Sequence, residues 1–300
     1  MESSIRRSKG RINLREPRVK LARVGPLGRE LPAVVDDVGT RWDLSPVTAD
    51  IDAGFLAGGG LARARDSLAA GTLNELPAGG RGGAPIAPPS TVVCIGLNYT
   101  DHAAETGMAA PAEPIMFLKA PNTVIGPDDT VLIPRRSVKT DYEVELAVVI
   151  GQTARYLDSP AAATDVIAGY TITNDMSERE FQLERGGQWD KGKSCETFNP
   201  LGPWLVTPDE VEDPQALGLR LWVNGELRQN GYTGNMIFDV AHIVWYLSQF
   251  LVLKPGDVVN TGTPAGVAVG ANDYGFLRAG DVVELEIDGL GRQRQTVGQA

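Results

Sequence analysis

The sequence contains few of the residues that build disulfide-rich, zinc-binding or membrane proteins. Of its 300 residues, two are cysteines and two are histidines. Cys94 and Cys195 lie far apart and in no metal-binding spacing, which favours free thiols in a reducing compartment over a disulfide scaffold. No apolar run approaches the roughly 18 to 20 residues of a membrane span, and the charged start of the chain lacks the apolar stretch of a secretion signal. We therefore expect a cytoplasmic protein with no membrane partner.

The chain also has fewer basic than acidic residues. Its 28 Lys and Arg residues face 38 Asp and Glu residues, which gives a formal net charge of -10 at pH 7. Such a chain does not attract nucleic acid, so we expect no nucleic-acid partner, and an acidic substrate must be bound by local cations. Residues 1–18 are the exception, because they are basic and lack apolar periodicity. We interpret them as a flexible tail, with a nucleic-acid-binding arm as the alternative.

A segment rich in glycine and proline divides the chain. The overall composition, 42% hydrophobic and 22% charged residues, is that of a globular protein. Within it, residues 79–89 have the glycine and proline density that is typical of a linker. We therefore predict a small N-terminal domain over residues 19–78, which begins with a β-hairpin, and a main domain over residues 90–300.

Short apolar segments dominate the main domain. Segments of this kind predict strands, whereas long helical stretches are few, and one short helix is predicted over residues 61–70. This balance favours a β-rich α+β fold over a doubly wound sheet. The three glycines at 58–60 lack the strand-loop-helix setting that a dinucleotide site requires. The predicted strands are residues 92–95, 144–150, 168–173, 219–223 and 282–287.

Two glutamates start the most apolar of these strands. Alternation along a strand places Glu143 and Glu145 on the same face, about 7 Å apart along the backbone. A solvent-exposed strand face is the alternative, but the apolar run that follows indicates burial, where two like charges are costly unless an ion neutralises them. Asp175, at the end of another strand, is either a helix cap or a third ligand. Three carboxylates suit Mg²⁺ or Mn²⁺ better than zinc.

One of the two histidines has a carboxylate at helical spacing. If a helix begins near Thr100, His102 and Glu105 share a face, and the carboxylate can orient the imidazole so that it takes a proton from water. A surface ion pair is the alternative interpretation. His242 lies in an apolar helical pattern, and we expect it to be a core histidine with its hydrogen bonds satisfied.

Cationic and polar residues follow these motifs and are suited to an acidic substrate. Lys193, among glycine, serine and aromatic residues, is the best candidate for stabilising an enolate or oxyanion. The loop 260–267, which includes Gly262 and Thr263, is either a simple turn or a loop whose N–H groups and hydroxyls bind a carboxylate. A solvated surface is the default interpretation for each of these side chains, which are Lys119, Arg179, Gln182, Lys191 and Lys193.

Together these motifs resemble the fumarylacetoacetate hydrolase family over roughly residues 90–292. Their order and spacing make the match specific, although any single motif is weak. A further segment, residues 185–204, is similar to the branch that includes 2,4-diketo-3-deoxy sugar-acid hydrolases. The matching stretches are residues 96–105, 117–119, 142–146, 174–182, 191–194 and 261–267.

The resemblance implies a catalytic domain of mixed β-sheets, in a protein that is usually a homodimer, and it assigns roles to the residues above. Glu143, Glu145 and Asp175 hold Mg²⁺ or Mn²⁺, while His102 and Glu105 activate water. Lys193 is the stabilising cation, and the residues near the substrate are Arg179, Gln182 and Thr263, to which the loop reading adds Gly262. Lys119 matches a motif position without an assigned role, and Gln295 stands where members often carry asparagine.

The reaction implied is a retro-Claisen cleavage of a metal-bound 2,4-dioxo acid. His102 delivers water to the C4 carbonyl, and the departing carbanion is stabilised as an enolate, giving pyruvate and a second acid. Decarboxylation of oxaloacetate, and isomerisation or hydration of a 2-oxo acid, need the same metal-enolate chemistry and stay open as alternatives. A nonenzymatic metal-binding homologue is the alternative from another class.

Overall fold

The computed structural model describes residues 19–107, 109–270 and 275–300 and shows a strand-rich α+β protein. The tail predicted over residues 1–18 lies outside the described residues. The strands are β1 (Lys20–Val24), β2 (Leu31–Val35), β3 (Arg41–Asp43), β4 (Gly82–Gly83), β5 (Val92–Gly96), β6 (Ile115–Lys119), β7 (Val124–Ile125), β8 (Val131–Ile133), β9 (Thr140–Asp141), β10 (Val144–Ile150), β11 (Ile167–Asn174), β12 (Ser177–Glu178), β13 (Asn199–Val206), β14 (Gly218–Val223), β15 (Glu226–Tyr232), β16 (Val258–Asn260), β17 (Val282–Ile287) and β18 (Gly291–Gln299).

The helices are short. The α-helices of the described residues are α1 (Ala53–Ala57), α2 (Gly60–Ala69), α3 (Thr100–Thr106), α4 (Asp190–Lys193) and α5 (Val240–Ser248). A π-helical turn spans Glu180–Glu184, and 3₁₀ turns span Pro121–Thr123, Pro160–Val166, Pro208–Glu210 and Thr233–Asn235. The β-rich α+β prediction is therefore confirmed. Each of the five predicted main-domain strands is present with its ends within one residue, and the predicted helix over 61–70 is α2.

Two sheets contain most of the strands. The larger sheet has the order β3-β2-β1-β13-β11-β10-β16-β5-β6, with β4 attached to β1 and β7 to β13. Its pairs are antiparallel except for β16 with β5 and β7 with β13, so the sheet is mixed. The second sheet has the order β15-β14-β17-β18-β8, and β9 pairs with β12. The predicted carboxylates belong to the centre of the larger sheet, where Glu143 precedes β10, Glu145 lies on β10 and Asp175 follows β11.

The first described strands belong to the same sheet as the main domain. Strand β1 pairs with β13, with Lys20 opposite Val206 and Leu21 opposite Leu205. Within the segment predicted as a linker, β4 pairs with β1 and Ile86 is buried. The division into domains at residues 79–89 stays a prediction. If that division holds, the pairing of β1 with β13 means that both parts contribute strands to one continuous sheet.

Strand β10 separates two hydrophobic clusters. Leu146 and Val148 face a cluster that also contains the buried side of β11 and helix α5. Ala147 and Val149 face the other cluster, which includes residues of β1, β2 and α1. All seven residues of β10 are buried, because both faces of the strand are covered. A carboxylate on this strand is consequently far from bulk water.

The described residues include neither a disulfide nor a helix that could cross a membrane. Cys94 is buried, Cys195 is partly buried, and both thiols are free. Burial raises the pKa of Cys195 to about 11, so its reactive thiolate form is scarce at neutral pH. No helix in the described part of the chain combines the length and the apolar character of a membrane span.

The shared sheet predicts that the N-terminal segment and the main domain unfold together. Leu21 is 0% exposed in the cluster that joins β1 to β10, whereas Leu31, on the neighbouring strand, is 46% exposed. We expect Leu21→Ala to lower the free energy of unfolding by about 2–5 kcal/mol in a single transition. The matched Leu31→Ala variant should change it by about 0.5 kcal/mol at most.

Urea denaturation followed by tryptophan fluorescence and circular dichroism measures both variants. Two separate transitions, of which Leu21→Ala moves one alone, would show instead that the N-terminal segment is an independent unit.

Candidate metal centre and active site

Three buried carboxylates meet at one end of β10 and β11. Each of Glu143, Glu145 and Asp175 offers an oxygen within 4.8 Å of the others. The register explains the meeting, because Glu145 lies opposite Thr173 and the chain leaves β11 beside Glu143, whose carbonyl accepts the Asp175 N–H at 2.9 Å. The predicted metal ligands are therefore brought together by the antiparallel pairing of two central strands.

Cationic side chains surround two of these carboxylates. Lys193 Nζ donates to Glu143 Oε2 at 2.7 Å and to Asp175 Oδ2 at 3.1 Å. Arg179 Nη2 donates to Glu143 Oε1 at 2.7 Å. Glu145, by contrast, accepts the backbone N–H of Gly262 at 2.8 Å and pairs with no cation of the described chain.

This asymmetry separates the pKa values of the two glutamates. Burial acts to raise the pKa of Glu143, but Lys193 and Arg179 outweigh it and hold that pKa at about 2. Burial, followed by the charges of Asp175 and Glu143, raises the pKa of Glu145 well above its ordinary value. The protein alone therefore disfavours the full charge of the cluster, and a divalent cation would remove that cost.

The donor set fits magnesium or manganese. All three ligands are carboxylate oxygens, and neither a thiolate nor an imidazole is among them. Hard divalent cations prefer such oxygens, whereas a zinc site usually includes nitrogen or sulfur. Three protein ligands also leave coordination positions for water and for a chelating acid.

Lys119, which matched a motif position without an assigned role, holds Asp175. Its fully buried Nζ donates to Asp175 Oδ1 and to the carbonyl of Met176 at 3.1 Å. Asp141, which the sequence reasoning missed, accepts Arg179 Nε at 2.8 Å and the N–H of Ala268 at 2.9 Å. The signal was present, because Asp141 continues the period-two spacing of the two glutamates.

The predicted helix over His102 is present as α3. His102 is 7% exposed, which excludes a surface ion pair as its main role. Its Nδ1 lies 3.5 Å from Glu105 Oε2, longer than a hydrogen bond, and has no hydrogen-bond partner. Glu105 is held in place by the N–H of Gly266 at 3.1 Å. The imidazole and its carboxylate thus face each other at 3.5 Å without a hydrogen bond between them.

The four residues predicted near the substrate differ in what they can contact. Arg179 donates Nη1 to Gln182 Oε1 at 2.9 Å, and both line the cavity above the carboxylates. Thr263 also lines it, while its hydroxyl donates to Val144 O at 3.0 Å and accepts from Gln229 at 2.8 Å. Gly262 has its N–H committed to Glu145, so we reassign it from substrate binding to the support of that carboxylate.

A single cavity brings most of the predicted residues together. Glu105 stands behind His102, and Lys191 points away, because its Nζ donates to the carbonyl of Arg185. His242 is not the core histidine that was expected, since it is partly exposed and stacks on Phe238 with ring centroids 5.2 Å apart. The predicted residues in the cavity wall are His102, Glu143, Glu145, Asp175, Arg179, Gln182, Lys193 and Thr263.

Gln295 supports the metal centre through the backbone. Its Oε1 accepts Asn174 Nδ2 at 3.2 Å, and Asn174 Oδ1 in turn accepts the N–H of Glu143 at 3.0 Å. Gln295 also bonds to Gln293, which donates to the carbonyl of Ile172 at 2.8 Å. The buried amides therefore fix the strand ends from which two of the ligands project.

The comparisons with known proteins agree with this geometry. The model of the fumarylacetoacetate (FAA) hydrolase C-terminal family matches residues 91–298. The chain therefore belongs to the fumarylacetoacetate hydrolase family, whose members are enzymes. A protein of Burkholderia ambifaria, named provisionally as a hydrolase, is 50% identical over 283 residues, which cover 94% of this chain and 100% of that protein.

Two of the similar proteins with solved structures are named for different activities, one as a hydrolase and one as an isomerase. The maleylpyruvate hydrolase from Sphingobium sp. SYK-6, in complex with manganese(II) ion and pyruvate, is 28% identical with a TM-score of 0.77, over 94% of this chain and 99% of that one. The 2-hydroxyhepta-2,4-diene-1,7-dioate isomerase from Mycobacterium marinum is 34% identical with a TM-score of 0.73, over 94% and 98%.

The raised pKa of Glu145 predicts opposite effects of Glu145→Gln on stability and on metal binding. A raised pKa means that folding disfavours the charged carboxylate, so its stabilising contribution is lost as the pH rises towards neutrality. We expect the variant in EDTA at pH 7.5 to melt at the same or a higher temperature than the unmodified protein. Its Mn²⁺ affinity should fall more than about tenfold.

Differential scanning fluorimetry and calorimetric Mn²⁺ titration measure the two effects, with Glu75→Gln, at an exposed acid, as the control. An unchanged Mn²⁺ affinity would remove Glu145 from the ligand set.

Proposed function

We propose that this protein uses Mg²⁺ or Mn²⁺ to hydrolyse a C–C bond in a 2,4-dioxo acid and releases pyruvate and a second acid. The observation that carries the proposal is the shared cavity. It contains a buried triad of carboxylates, the His102 imidazole with Glu105 behind it, and the Lys193 ammonium. Water activation and the stabilisation of negative charge need these groups side by side.

Glu143, Glu145 and Asp175 would hold the metal ion. When bound, the ion supplies a Lewis acid that polarises the oxygens of a chelated 2-oxo acid. The chain contributes the geometry of the ligands, since Lys119 and the Gly262 N–H fix Asp175 and Glu145. It also contributes a water-poor environment, because all three carboxylates are buried.

His102 is the group that would take a proton from the attacking water. Its ring lies in the cavity wall, and Glu105 faces Nδ1, so the other ring nitrogen is the one available to water. Closure of the 3.5 Å gap would fix the ring orientation and stabilise the imidazolium that forms when the proton arrives. The anchoring of Glu105 by Gly266 limits how the carboxylate can turn.

Lys193 would stabilise the negative charge that leaves with the pyruvate fragment. Its ammonium is buried, and although burial lowers its pKa, the carboxylates of Asp175 and Glu143 outweigh this effect and raise that pKa. It therefore stays protonated at neutral pH. A preorganised cation of this kind stabilises an enolate oxygen without the reorganisation that water would need.

The isomerase among the similar structures favours a second candidate function. Isomerisation of a 2-oxo acid uses the same carboxylates and cation, and it needs no attacking water. Decarboxylation of oxaloacetate likewise needs no attacking water, whereas hydration of a 2-oxo acid consumes a water molecule. The role of His102 therefore separates hydrolysis from isomerisation and decarboxylation, and the release of pyruvate separates it from hydration.

Assembly and location are part of the proposal. We propose a homodimer, as the resemblance to the family implies, and a cytoplasmic location, which the two free cysteines favour. Sedimentation velocity of the purified protein gives the assembly directly.

Pyruvate release from a panel of acids is the first test. We expect release from at least one of acetylpyruvate, fumarylpyruvate and a 2,4-diketo-3-deoxy sugar acid with Mg²⁺ or Mn²⁺, and none with EDTA. A coupled assay with lactate dehydrogenase measures the pyruvate that is released. Release from oxaloacetate alone would make the protein a decarboxylase, and the absence of release from every acid would favour isomerase, hydratase or nonenzymatic function.

Replacement of the two histidines in turn tests the dyad. His102→Gln should lower the rate of hydrolysis by about 10²–10⁴-fold, the usual contribution of a general base, while Mn²⁺ affinity changes little. The matched control is His242→Gln, because His242 lies on α5 among aromatic rings and outside the cavity wall. Steady-state kinetics and calorimetry give both values. Unchanged pyruvate release by His102→Gln would refute the assignment.

A further inference from the structure

The half of the cavity away from the carboxylates has a different chemistry. It is formed by the residue after β5, by β6, by the last residue of α3, and by the segments after β12 and Gly266. Most of its side chains are hydrocarbon or aromatic, and Thr106 contributes a hydroxyl. The lining residues in question, called the outer wall below, are Leu97, Thr106, Phe117, Leu183, Trp189 and Val269.

The outer wall begins beside Lys193 and runs outward. Lys193 Nζ lies 5.2 Å from the ring centroid of Phe117, and that centroid lies 5.5 Å from the ring of Trp189 in an edge-to-face arrangement. The indole then rests on Gly96, where a Cβ atom would collide with it. Leu183 and Val269 are 48% and 39% exposed, so they form the mouth. A substrate bound at the carboxylates therefore extends along aromatic and aliphatic surface.

The described lining offers no cation to a second carboxylate. Its two cationic side chains are Arg179 and Lys193, and both are hydrogen-bonded to carboxylates of the metal centre. Glu105 adds negative charge behind His102. A distal carboxylate in this half of the cavity would lose water without gaining a partner, which is unfavourable. A substrate with several hydroxyl groups would also lack hydrogen-bond partners there, because hydrocarbon surface dominates the outer wall.

We propose that the outer wall binds an uncharged, mainly hydrocarbon acyl group, so that the substrates are alkanoyl- or aroylpyruvates rather than diacids or polyhydroxy acids. This inference rests on the function proposed above for the position of the pyruvate half. It narrows that function, since fumarylpyruvate and the sugar acids become poor substrates. Each further methylene of the acyl chain that reaches the wall should improve kcat/KM by roughly fourfold, the value of a buried CH₂ group.

Binding tests the wall independently of catalysis. The probes are 2-oxohexanoate and 2-oxoadipate, which have the same number of carbons and differ in a terminal methyl or carboxylate group. With saturating Mn²⁺, we expect 2-oxohexanoate to bind at least about tenfold more tightly by calorimetry. Equal or tighter binding of 2-oxoadipate would overturn the proposal.

Steady-state kinetics give a second test of the outer wall. The acyl series acetyl-, butanoyl- and hexanoylpyruvate should show rising kcat/KM, and fumarylpyruvate should fall below butanoylpyruvate. Faster cleavage of fumarylpyruvate would overturn the inference while leaving the hydrolase function intact. If no dioxo acid is cleaved but 2-oxohexanoate binds preferentially, the hydrolase function fails and the wall assignment stands.

A charge placed at the mouth gives the sharpest contrast. Leu183→Arg should shift the binding ratio of 2-oxohexanoate to 2-oxoadipate roughly two- to fivefold towards the diacid, the range of an exposed ion pair. The matched control is Leu227→Arg, because Leu227 is also 48% exposed but lies on β15, outside the cavity lining. An equal shift of the binding ratio in both variants would mean that net charge alone is responsible. The outer wall would then not be the binding site of the acyl group.

Discussion

The burial of three carboxylates within 4.8 Å of one another is the constraint on which the rest of the centre depends. Like charges at that distance repel strongly where water is scarce, and burial adds to the cost. The protein offsets part of this with Lys119, Lys193 and Arg179, each in hydrogen-bond contact with a carboxylate. It leaves Glu145 without such a partner in the described chain, and that remaining imbalance is what suits the proposed centre to a divalent cation.

The larger β-sheet determines the positions of the three carboxylates. Both faces of strand β10 pack against hydrophobic clusters, and Glu145 lies at the start of the face that continues with Ala147 and Val149. Strand β11 beside it determines where Asp175 emerges. The supporting groups come from distant parts of the chain, among them β6, the loop after β16 and strand β18. Because each supporting hydrogen bond is buried, the position of the ligands depends on the packing of the whole sheet.

The parts of this centre that follow a strand or helix period could be predicted from the sequence. Alternation identified the strands and placed Glu143 and Glu145 on one face, and helical spacing paired His102 with Glu105. Periodicity could not show that Lys119 reaches Asp175, or that Gly262 serves Glu145, because those contacts join segments far apart in the chain and depend on the sheet order. His242 was misjudged because its apolar neighbours are aromatic rings of a partly exposed surface, which hydrophobicity alone does not distinguish from a core.

The hydrogen bond between the Asn174 and Gln295 side chains also has a consequence for folding during synthesis of the chain. A ribosome has made all three carboxylate ligands once residue 175 has been added, but the side chain that fixes Asn174 lies 121 residues further along the chain. Until β18 is made and pairs with β17, the Asn174 amide has no Gln295 carbonyl to bond, and the backbone of Glu143 is correspondingly loose. The carboxylates proposed as metal ligands are therefore made before the strand that fixes their positions, so a nascent chain can contain all three side chains before it contains a rigid site.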